Sequence, residues 1–411
     1  MRASIRKTAN QGLKRYDPSN AYNGYTLFAT MYGQDAWLID MKGNVVNHWL
    51  MKYMPGPYGY LTEKGTMMRL ERSTEVLEGF GGNATALTEI DWESNEIWRY
   101  DDPYLNHDFV TMDNGNILIN RYVEVPESLK PKIKGGVEGT EHENGRIYSC
   151  SFQEITREGK VLWEWNHYEH LDTETDIMCP LCPRSIWGYT NAMDILPDGN
   201  ILFTLRYLNT VAILDKKSGD IIWRWGPEQM IGHPHDCKVL KNGNILLFDN
   251  GFHRKPYVGK DMGVANSVVS EEEYSRVLEI NPKTNEIEWE YKDRFGIFYT
   301  PVCGGCQRLP NGNTLITEST KGRFFEVTPE KEIVWEYINP FVTMTPPFWY
   351  YDWMPTVETF RAIRYSPDFA GFKGKDLNPE KYEWKLEEKR EKTKEELEEE
   401  EMYSRLTKLG Y

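Results

Sequence analysis

Hydrophobic and polar positions along this chain fall into two kinds of short segment that alternate with each other. The first kind is a glycine-containing turn followed by a run of aliphatic or β-branched residues, as in NGNILIN. A turn of this type followed by an extended apolar run predicts a β-hairpin. Six copies occur, at residues 23–29, 64–70, 114–120, 198–204, 242–248 and 311–317.

The second kind of segment reads as a strand, a polar turn and another strand that ends in tryptophan. Its arms alternate with a period of two, which is typical of half-buried strands. The six copies end at Trp49, Trp98, Trp163, Trp223, Trp289 and Trp335. Six inner hairpins alternating with six outer hairpins make six four-stranded antiparallel sheets, and closure into a ring buries their faces. The pattern predicts an all-β protein, a six-bladed β-propeller.

Unequal spacing between the repeats places long loop insertions at residues 121–146, 166–189 and 249–274. Loops of this length in a compact scaffold are often binding elements. We expect the propeller to span residues 1–345, and an aromatic, proline-rich segment at residues 346–377 to pack over the ring or close it. The charged tail at residues 378–411 is predicted to be a short, solvated helix.

The strand before each inner turn becomes comparable between repeats when the copies are aligned on that turn. Seven positions before the turn stand His107, Asn191, His235 and Gly304. Two residues later, on the same face of an alternating strand, stand Phe109, Met193, Cys237 and Cys306. Because the first strand of a propeller blade lines the central channel, we expect both sets at one mouth of it. A change of register by one residue would turn these side chains away.

Histidine precedes aspartate at two equivalent strand starts, in His107–Asp108 and in His235–Asp236. Two imidazoles that converge on a channel suit general acid–base catalysis or metal binding. The structural alternative is a hydrogen bond that fixes a loop to the adjacent blade. Arg206 and Arg254 follow inner hairpins, where a guanidinium either holds an oxyanion or is simply solvated.

Two CxxC pairs, Cys179–Cys182 and Cys303–Cys306, precede inner strands and should face the same end of the propeller. Two thiolates three positions apart can chelate one ion, so these four cysteines are candidate ligands of zinc or iron. One interpretation is a structural metal that anchors an insertion to the channel rim. Another is a catalytic thiolate activated by a channel histidine. A disulfide within either pair would need an oxidising compartment.

Charge and chain ends limit the classes of partner. The net charge of −15 over 411 residues repels phosphate backbones and anionic membranes, so neither nucleic acid nor membrane is an expected partner. Residues 1–20 contain basic side chains without an apolar run, which predicts neither a signal peptide nor a transmembrane segment. We expect a cytoplasmic protein that binds a small aromatic or anionic molecule, and the sequence carries no signal for an oligomeric state.

Several stretches resemble the arylsulfotransferase family, whose members work independently of the sulfate donor PAPS. They are GYTLF at 24–28, LIDMKGNVVNHW at 38–49, HDCKVLKNGNILLFDNG at 235–251, RLPNGNTLI at 308–316, GRFFEVTPEKEIVWEY at 322–337 and FRAIRY at 360–365. The resemblance covers roughly residues 17–370. It implies a six-bladed propeller with its active site in the channel, and transfer of a sulfuryl group between phenolic compounds through a sulfated histidine.

The resemblance also implies roles for individual residues. His235 matches a family histidine and Arg254 matches the family arginine that holds sulfate oxygens. Thr190–Asn191 stands where a family histidine is expected. No histidine follows His253 in this chain, and the region of the family's nucleophile contains the second CxxC pair instead.

Three functions follow from these patterns. The first is an arylsulfotransferase-like enzyme with its site in the channel. Its candidate catalytic residues are His235, His107, Arg254, Cys303 and Cys306, and its candidate substrate-binding residues are Asn191, Thr190, Arg206 and His253. The second is a metal- or thiol-dependent channel enzyme that acts on a small anionic or aromatic substrate. The third is a non-catalytic propeller that binds a protein partner through its insertions and tail.

Overall fold

The computed structural model describes residues 4–5, 11–72, 81–226, 230–254, 274–293, 297–345 and 354–382. Within these ranges the chain forms β-strands and short 3-10 helices but no α-helix, which confirms the all-β prediction. No helix in the described ranges has the length and apolarity needed to cross a membrane. The predicted C-terminal helix lies outside the described residues from residue 383 onwards.

The strands are short and follow each other closely. In chain order they are β1 (Ser4–Ile5), β2 (Gly12–Tyr16), β3 (Tyr25–Ala29), β4 (Asp35–Ile39), β5 (Val45–Leu50), β6 (Met54–Leu61), β7 (Met67–Arg72), β8 (Asn83–Ile90), β9 (Glu96–Thr111), β10 (Ile117–Glu124), β11 (Gly135–Val137), β12 (Tyr148–Ile155), β13 (Val161–Asn166), β14 (Met178–Pro183) and β15 (Met193–Ile195). They continue with β16 (Ile201–Leu205), β17 (Thr210–Leu214), β18 (Ile221–Trp225), β19 (His235–Val239), β20 (Ile245–Asp249), β21 (Arg276–Asn281), β22 (Glu286–Lys292), β23 (Gly305–Arg308), β24 (Thr314–Glu318), β25 (Arg323–Val327), β26 (Ile333–Ile338), β27 (Phe341–Thr345), β28 (Met354–Thr356) and β29 (Ile363–Tyr365). The described 3-10 helices are Lys130–Lys132, Glu143–Gly145, His167–Glu169, Arg206–Leu208, Ser319–Lys321, Ala370–Phe372 and Pro379–Tyr382.

Antiparallel sheets follow one another in a propeller-like arrangement. Four of them are separate blades: β29-β3-β4-β5, β15-β16-β17-β18, β19-β20-β21-β22 and the five-stranded β23-β24-β25-β26-β2. The last three each contain one inner hairpin and one outer hairpin of the repeat predicted from the sequence, whereas the first contains its outer hairpin and, in place of the predicted inner hairpin, the pair β29–β3. The two terminal regions of the chain complete blades formed by residues distant in sequence, because β29 pairs with β3 and β2 pairs with β26.

The second and third repeats do not form two separate four-stranded blades, as the sequence predicted. These repeats form one seven-stranded sheet, from β6 to β10 and then β12 and β13. The cause is β9, whose first part pairs with β8 and whose last part pairs with β10, with irregular register along both ladders. A strand long enough to belong to two repeats leaves no break between them.

The tryptophan that ends each repeat links that repeat to the following one. Its indole N–H donates a hydrogen bond of 2.8–3.1 Å to the turn of the next outer hairpin. In repeat order the donors and acceptors are Trp49 to Asp91, Trp98 to Arg157, Trp165 to Gly219, Trp223 to Asn285, Trp289 to Pro329 and Trp335 to Met41. In the third repeat the donor is Trp165 rather than Trp163, and in the fourth repeat Trp225 also donates a hydrogen bond of 3.0 Å to the backbone carbonyl of Asn285. The last bond returns to the first repeat and therefore closes the ring.

Apolar clusters fill the spaces between successive repeats. Phe28 and Trp37 of the first repeat pack with Phe324 and Trp335 of the last. Comparable clusters join each of the other neighbouring repeats. Since each sheet buries both faces in this way, no repeat has a complete core of its own.

We predict that the closing indole bond contributes more to stability than its exposed counterparts. In Trp335→Phe the buried carbonyl of Met41 loses its donor, and we expect the free energy of unfolding to fall by about 1–3 kcal/mol. Trp289→Phe removes an equivalent bond at an exposed position and is the matched control, with an expected loss below about 1 kcal/mol. Urea denaturation of both variants measures the difference, and equal losses would contradict the prediction.

Candidate functional site

Two aspartates at the starts of inner strands meet one arginine between those strands. Arg361 lies 3.0 Å from Asp108 and 3.3 Å from Asp236, and all three side chains are buried. Asp108 also accepts a hydrogen bond from the backbone N–H of Met193, and Asp236 accepts one from that of Cys306. The aspartates of the two His–Asp pairs therefore join neighbouring repeats to a shared buried cation.

The histidines of the same pairs have one ring nitrogen fixed and the other free. His107 Nδ1 is hydrogen-bonded to the amide oxygen of Asn106, and His235 Nδ1 lies 2.6 Å from that of Asn250 and 3.2 Å from the carbonyl oxygen of His233. Because these partners are acceptors, Nδ1 carries the proton in each neutral ring. Neither Nε2 has a hydrogen-bond partner among the described residues, so each presents a lone pair.

Arg206 is a buried cation beside the two histidines. Burial lowers the pKa of both His107 and His235 well below the usual value, and the charge of Arg206 is the next largest cause for each. The guanidinium packs 5.1 Å from the ring centre of Tyr207 and 5.9 Å from that of Tyr189. No carboxylate pairs with Arg206 in the described part of the chain. Its charge is therefore available to an anionic ligand.

The residues two positions after the strand starts do not line the channel, which corrects the expected register. The ladder between β19 and β20 shifts between His235 and Cys237, so these side chains do not share a face. Instead, the four residues lie in the apolar clusters between repeats. They are Phe109, Met193, Cys237 and Cys306.

The second CxxC pair consists of neutral thiols, with Cys306 buried and Cys303 half-buried. Burial raises the pKa of Cys303 and that of Cys306 above the usual value, and neither thiol belongs to the cluster of potential metal ligands found in the described residues. Thiols that hold their protons are poor nucleophiles. Nearby, Glu358 has no side-chain partner among the described residues, and desolvation raises the pKa of its carboxyl to about 7.

The first CxxC pair meets two histidines rather than the second pair. The ligand atoms of Cys179, Cys182, His233 and His253 all lie within 4.8 Å of one another. Contact with Cys182, followed by contacts with the two imidazoles, lowers the pKa of Cys179. The metal-ligand set expected from the sequence, two CxxC pairs, is therefore not assembled, because β14 delivers its cysteines to the ends of the hairpin β19–β20.

Three further residues expected at the site have partners within the protein. Thr190 Oγ1 lies 2.9 Å from His167 Nε2. The side-chain amide of Asn191 donates a hydrogen bond of 3.1 Å to the carbonyl oxygen of Pro234, just before β19. Arg254 pairs with Asp249 at 2.7 Å. These contacts give all three a structural role.

Sequence reasoning missed Arg361, Glu358 and His233. Arg361 and Glu358 belong to the segment after the last repeat, where alignment on inner turns offers no comparison. His233 had a signal, since it lies two residues before His235, just outside the hairpin whose other end carries His253. Two histidines that flank one hairpin are brought to the same edge of a sheet.

Comparison with known proteins identifies a family. No curated protein sequence matches the chain significantly. Among solved structures, a protein of unknown function from Bacteroides caccae is 13% identical with a TM-score of 0.49, covering 77% of this chain and 94% of that one. A streptogramin B lyase is 12% identical with a TM-score of 0.42, covering 82% and 85%, and the Dos1 propeller is 10% identical with a TM-score of 0.36, covering 79% and 74%. The arylsulfotransferase (ASST) family model matches residues 60–340, more than half of the sequence. The chain therefore belongs to the arylsulfotransferase family.

Proposed function

We propose that this protein transfers a sulfuryl group from an aryl sulfate to a phenol at the site formed by Arg206, His107 and His235. The observation that carries the proposal is the buried guanidinium of Arg206, which has aromatic neighbours and no carboxylate partner in the described residues. A sulfate ester presents the complementary features, a fixed negative charge and an aromatic ring. Desolvation strengthens the attraction between the two charges.

In this proposal His235 is the nucleophile. Asn250 and the carbonyl of His233 hold the proton on Nδ1, which leaves the Nε2 lone pair free to attack sulfur. The S–N bond forms as the S–O bond to the aryl group breaks, and the phenolate oxygen takes a proton as it leaves. Attack by the acceptor phenol then breaks the S–N bond, transfers the sulfuryl group and releases the acceptor's proton. His107 offers a second imidazole beside the same arginine.

Glu358 is our candidate for the group that moves the phenolic proton. A carboxyl with a pKa of about 7 both donates and accepts a proton at neutral pH. Burial raises the pKa of Cys303, and the charge of Glu358 raises it further, so the two side chains lie near each other. No described residue pairs with the Glu358 carboxylate.

The imidazole is a better candidate nucleophile than the thiols that occupy the family's nucleophile region. A thiol must lose its proton to attack, and burial opposes that loss at Cys303 and Cys306. The lone pair of a neutral histidine needs no such step. We also propose that the ring functions as six blades, with the seven-stranded sheet acting as two that share β9, since six indole bonds link six repeats.

Arg206→Met should reduce kcat for nitrophenyl sulfate with a phenol acceptor by about 10²–10³-fold, because a buried charge that stabilises the transferring group is lost. Arg206→Lys should retain part of the activity. Arg146→Met is the matched control, since Arg146 also packs on a tyrosine, at 5.8 Å, but belongs to an insertion. Steady-state release of nitrophenol measures all three, and equal rates in Arg206→Met and wild type would contradict the proposal.

The histidines can be separated by trapping the intermediate. Incubation with donor alone should add the mass of one SO₃ group to wild-type protein, and peptide mapping should place it on His235. His235→Ala should abolish labelling, whereas His107→Ala should weaken transfer without removing the labelled residue. A label on Cys303, or full labelling of His235→Ala, would contradict the assignment.

Glu358 predicts a pH dependence of stability that does not require activity. The folded pKa of about 7 exceeds the ordinary value of 4.5, so the folded state retains a proton that the unfolded chain releases. Stability therefore falls as pH rises from about 4.5 to 7 through this group. Glu358→Gln should raise Tm more at pH 8 than at pH 5, while the exposed control Glu380→Gln should change Tm equally at both. A pH-independent change in Glu358→Gln would contradict the assigned pKa.

A further inference from the structure

Four potential metal ligands converge where an insertion meets a blade. Cys179 and Cys182 lie on β14, within the insertion at residues 166–189. His233 precedes β19 and His253 follows β20, so both histidines flank the same hairpin. We propose that these four side chains bind one Zn²⁺ in a closed tetrahedral site that fastens the insertion to this hairpin. The site is distinct from the proposed sulfuryl-transfer residues.

The separations between the ligand atoms match a single zinc ion. Zinc bonds of about 2.3 Å to sulfur and 2.0–2.1 Å to nitrogen in a tetrahedron place sulfur and nitrogen about 3.6 Å apart. Cys182 Sγ lies 3.3 Å from His233 Nε2 and 3.6 Å from His253 Nδ1, and Cys179 Sγ lies 3.5 Å from His253 Nδ1. These three separations are those of ligands in one tetrahedral shell, and all four atoms lie within 4.8 Å of one another.

The same separations exclude a larger metal group at this position. A two-iron cluster held by two cysteines and two histidines binds each pair to a different iron, which keeps the pairs further apart than 4.8 Å. Mixed sulfur and nitrogen ligands with tetrahedral geometry are typical of structural zinc. Because four protein ligands fill the shell, no position is left for a substrate.

The surroundings position the backbone of His233 and the ring of His253. The His233 backbone N–H donates to Asn209 Oδ1 at 2.8 Å, and the His253 ring stacks on Phe252 with 3.8 Å between ring centres. Both histidines have a left-handed backbone, with φ of 53° and 56°. Non-glycine residues in this conformation carry a cost that the rest of the fold must outweigh, and such residues are concentrated at functional sites.

The insertion needs such a fastening because its own pairing is slight. β14 forms a short parallel pair with β11 of another insertion, with a register shift within it. It also packs beside the 3-10 helix Arg206–Leu208, which carries the proposed sulfate-binding arginine.

Metal analysis of the purified full-length protein tests the proposal. We expect about one equivalent of zinc in the wild type, and less than about a tenth in Cys182→Ser and in His253→Ala. His253→Cys, which restores a ligand, should recover zinc. Cys306→Ser is the matched thiol control and should retain the full equivalent. Zinc below a tenth of an equivalent in the wild type, a predominance of iron, or loss of zinc in Cys306→Ser would overturn the assignment.

Two measurements on the wild type keep the test decisive if a variant fails to fold. Protein loaded with Co²⁺ should show the intense visible bands of a tetrahedral thiolate site, and weak octahedral bands would count against it. Removal of zinc by a chelator should accelerate tryptic cleavage at Lys134 and Arg184 around β11 and β14, and unchanged cleavage would overturn the fastening role. None of these readouts depends on sulfuryl transfer, so this proposal and the proposed function can fail independently.

Discussion

The buried ion pairs of Arg361 are the constraint on which the centre of this molecule depends. Two buried carboxylates, on Asp108 and Asp236, would be strongly destabilising without a cation between them. Arg361 also reaches the carbonyl of Asn191 and packs 4.7 Å from the ring centre of Tyr58, so it contacts several repeats at once. Since it belongs to none of the repeats, the segment after the last repeat determines how the inner strands meet.

The repeats and the all-β class were accessible from the sequence, because turn residues and period-two alternation are local. Register at the strand starts was not. His107 and Asp236 have φ of 49° and 42°, and a left-handed residue breaks the alternation that the alignment assumed. The path of an insertion is equally non-local, which is why the partners of Cys179 and Cys182 were misassigned. Likewise, nothing in the spacing of repeats indicates that β9 serves two of them.

The two proposed sites share one short stretch of backbone. His233 would ligate zinc through its ring, while its carbonyl oxygen accepts a hydrogen bond from the ring of His235. A metal that holds His233 would thereby also limit the rotation of the imidazole used for sulfuryl transfer. The same hairpin would therefore support both the metal and the nucleophile. This shared role gives a physical reason for the left-handed backbone of His233 and Asp236, which lie before and after Pro234.

The closing strand has a consequence for how the protein matures. Residues 358–365 supply Glu358, Arg361 and β29, the strand that pairs with β3 near the start of the chain. During synthesis all six tryptophan repeats leave the ribosome before this stretch does. A nascent or prematurely terminated chain therefore lacks the ring's last strand, its central cation and the candidate proton carrier together. Closure of the ring and assembly of the proposed site would thus be completed in one late event.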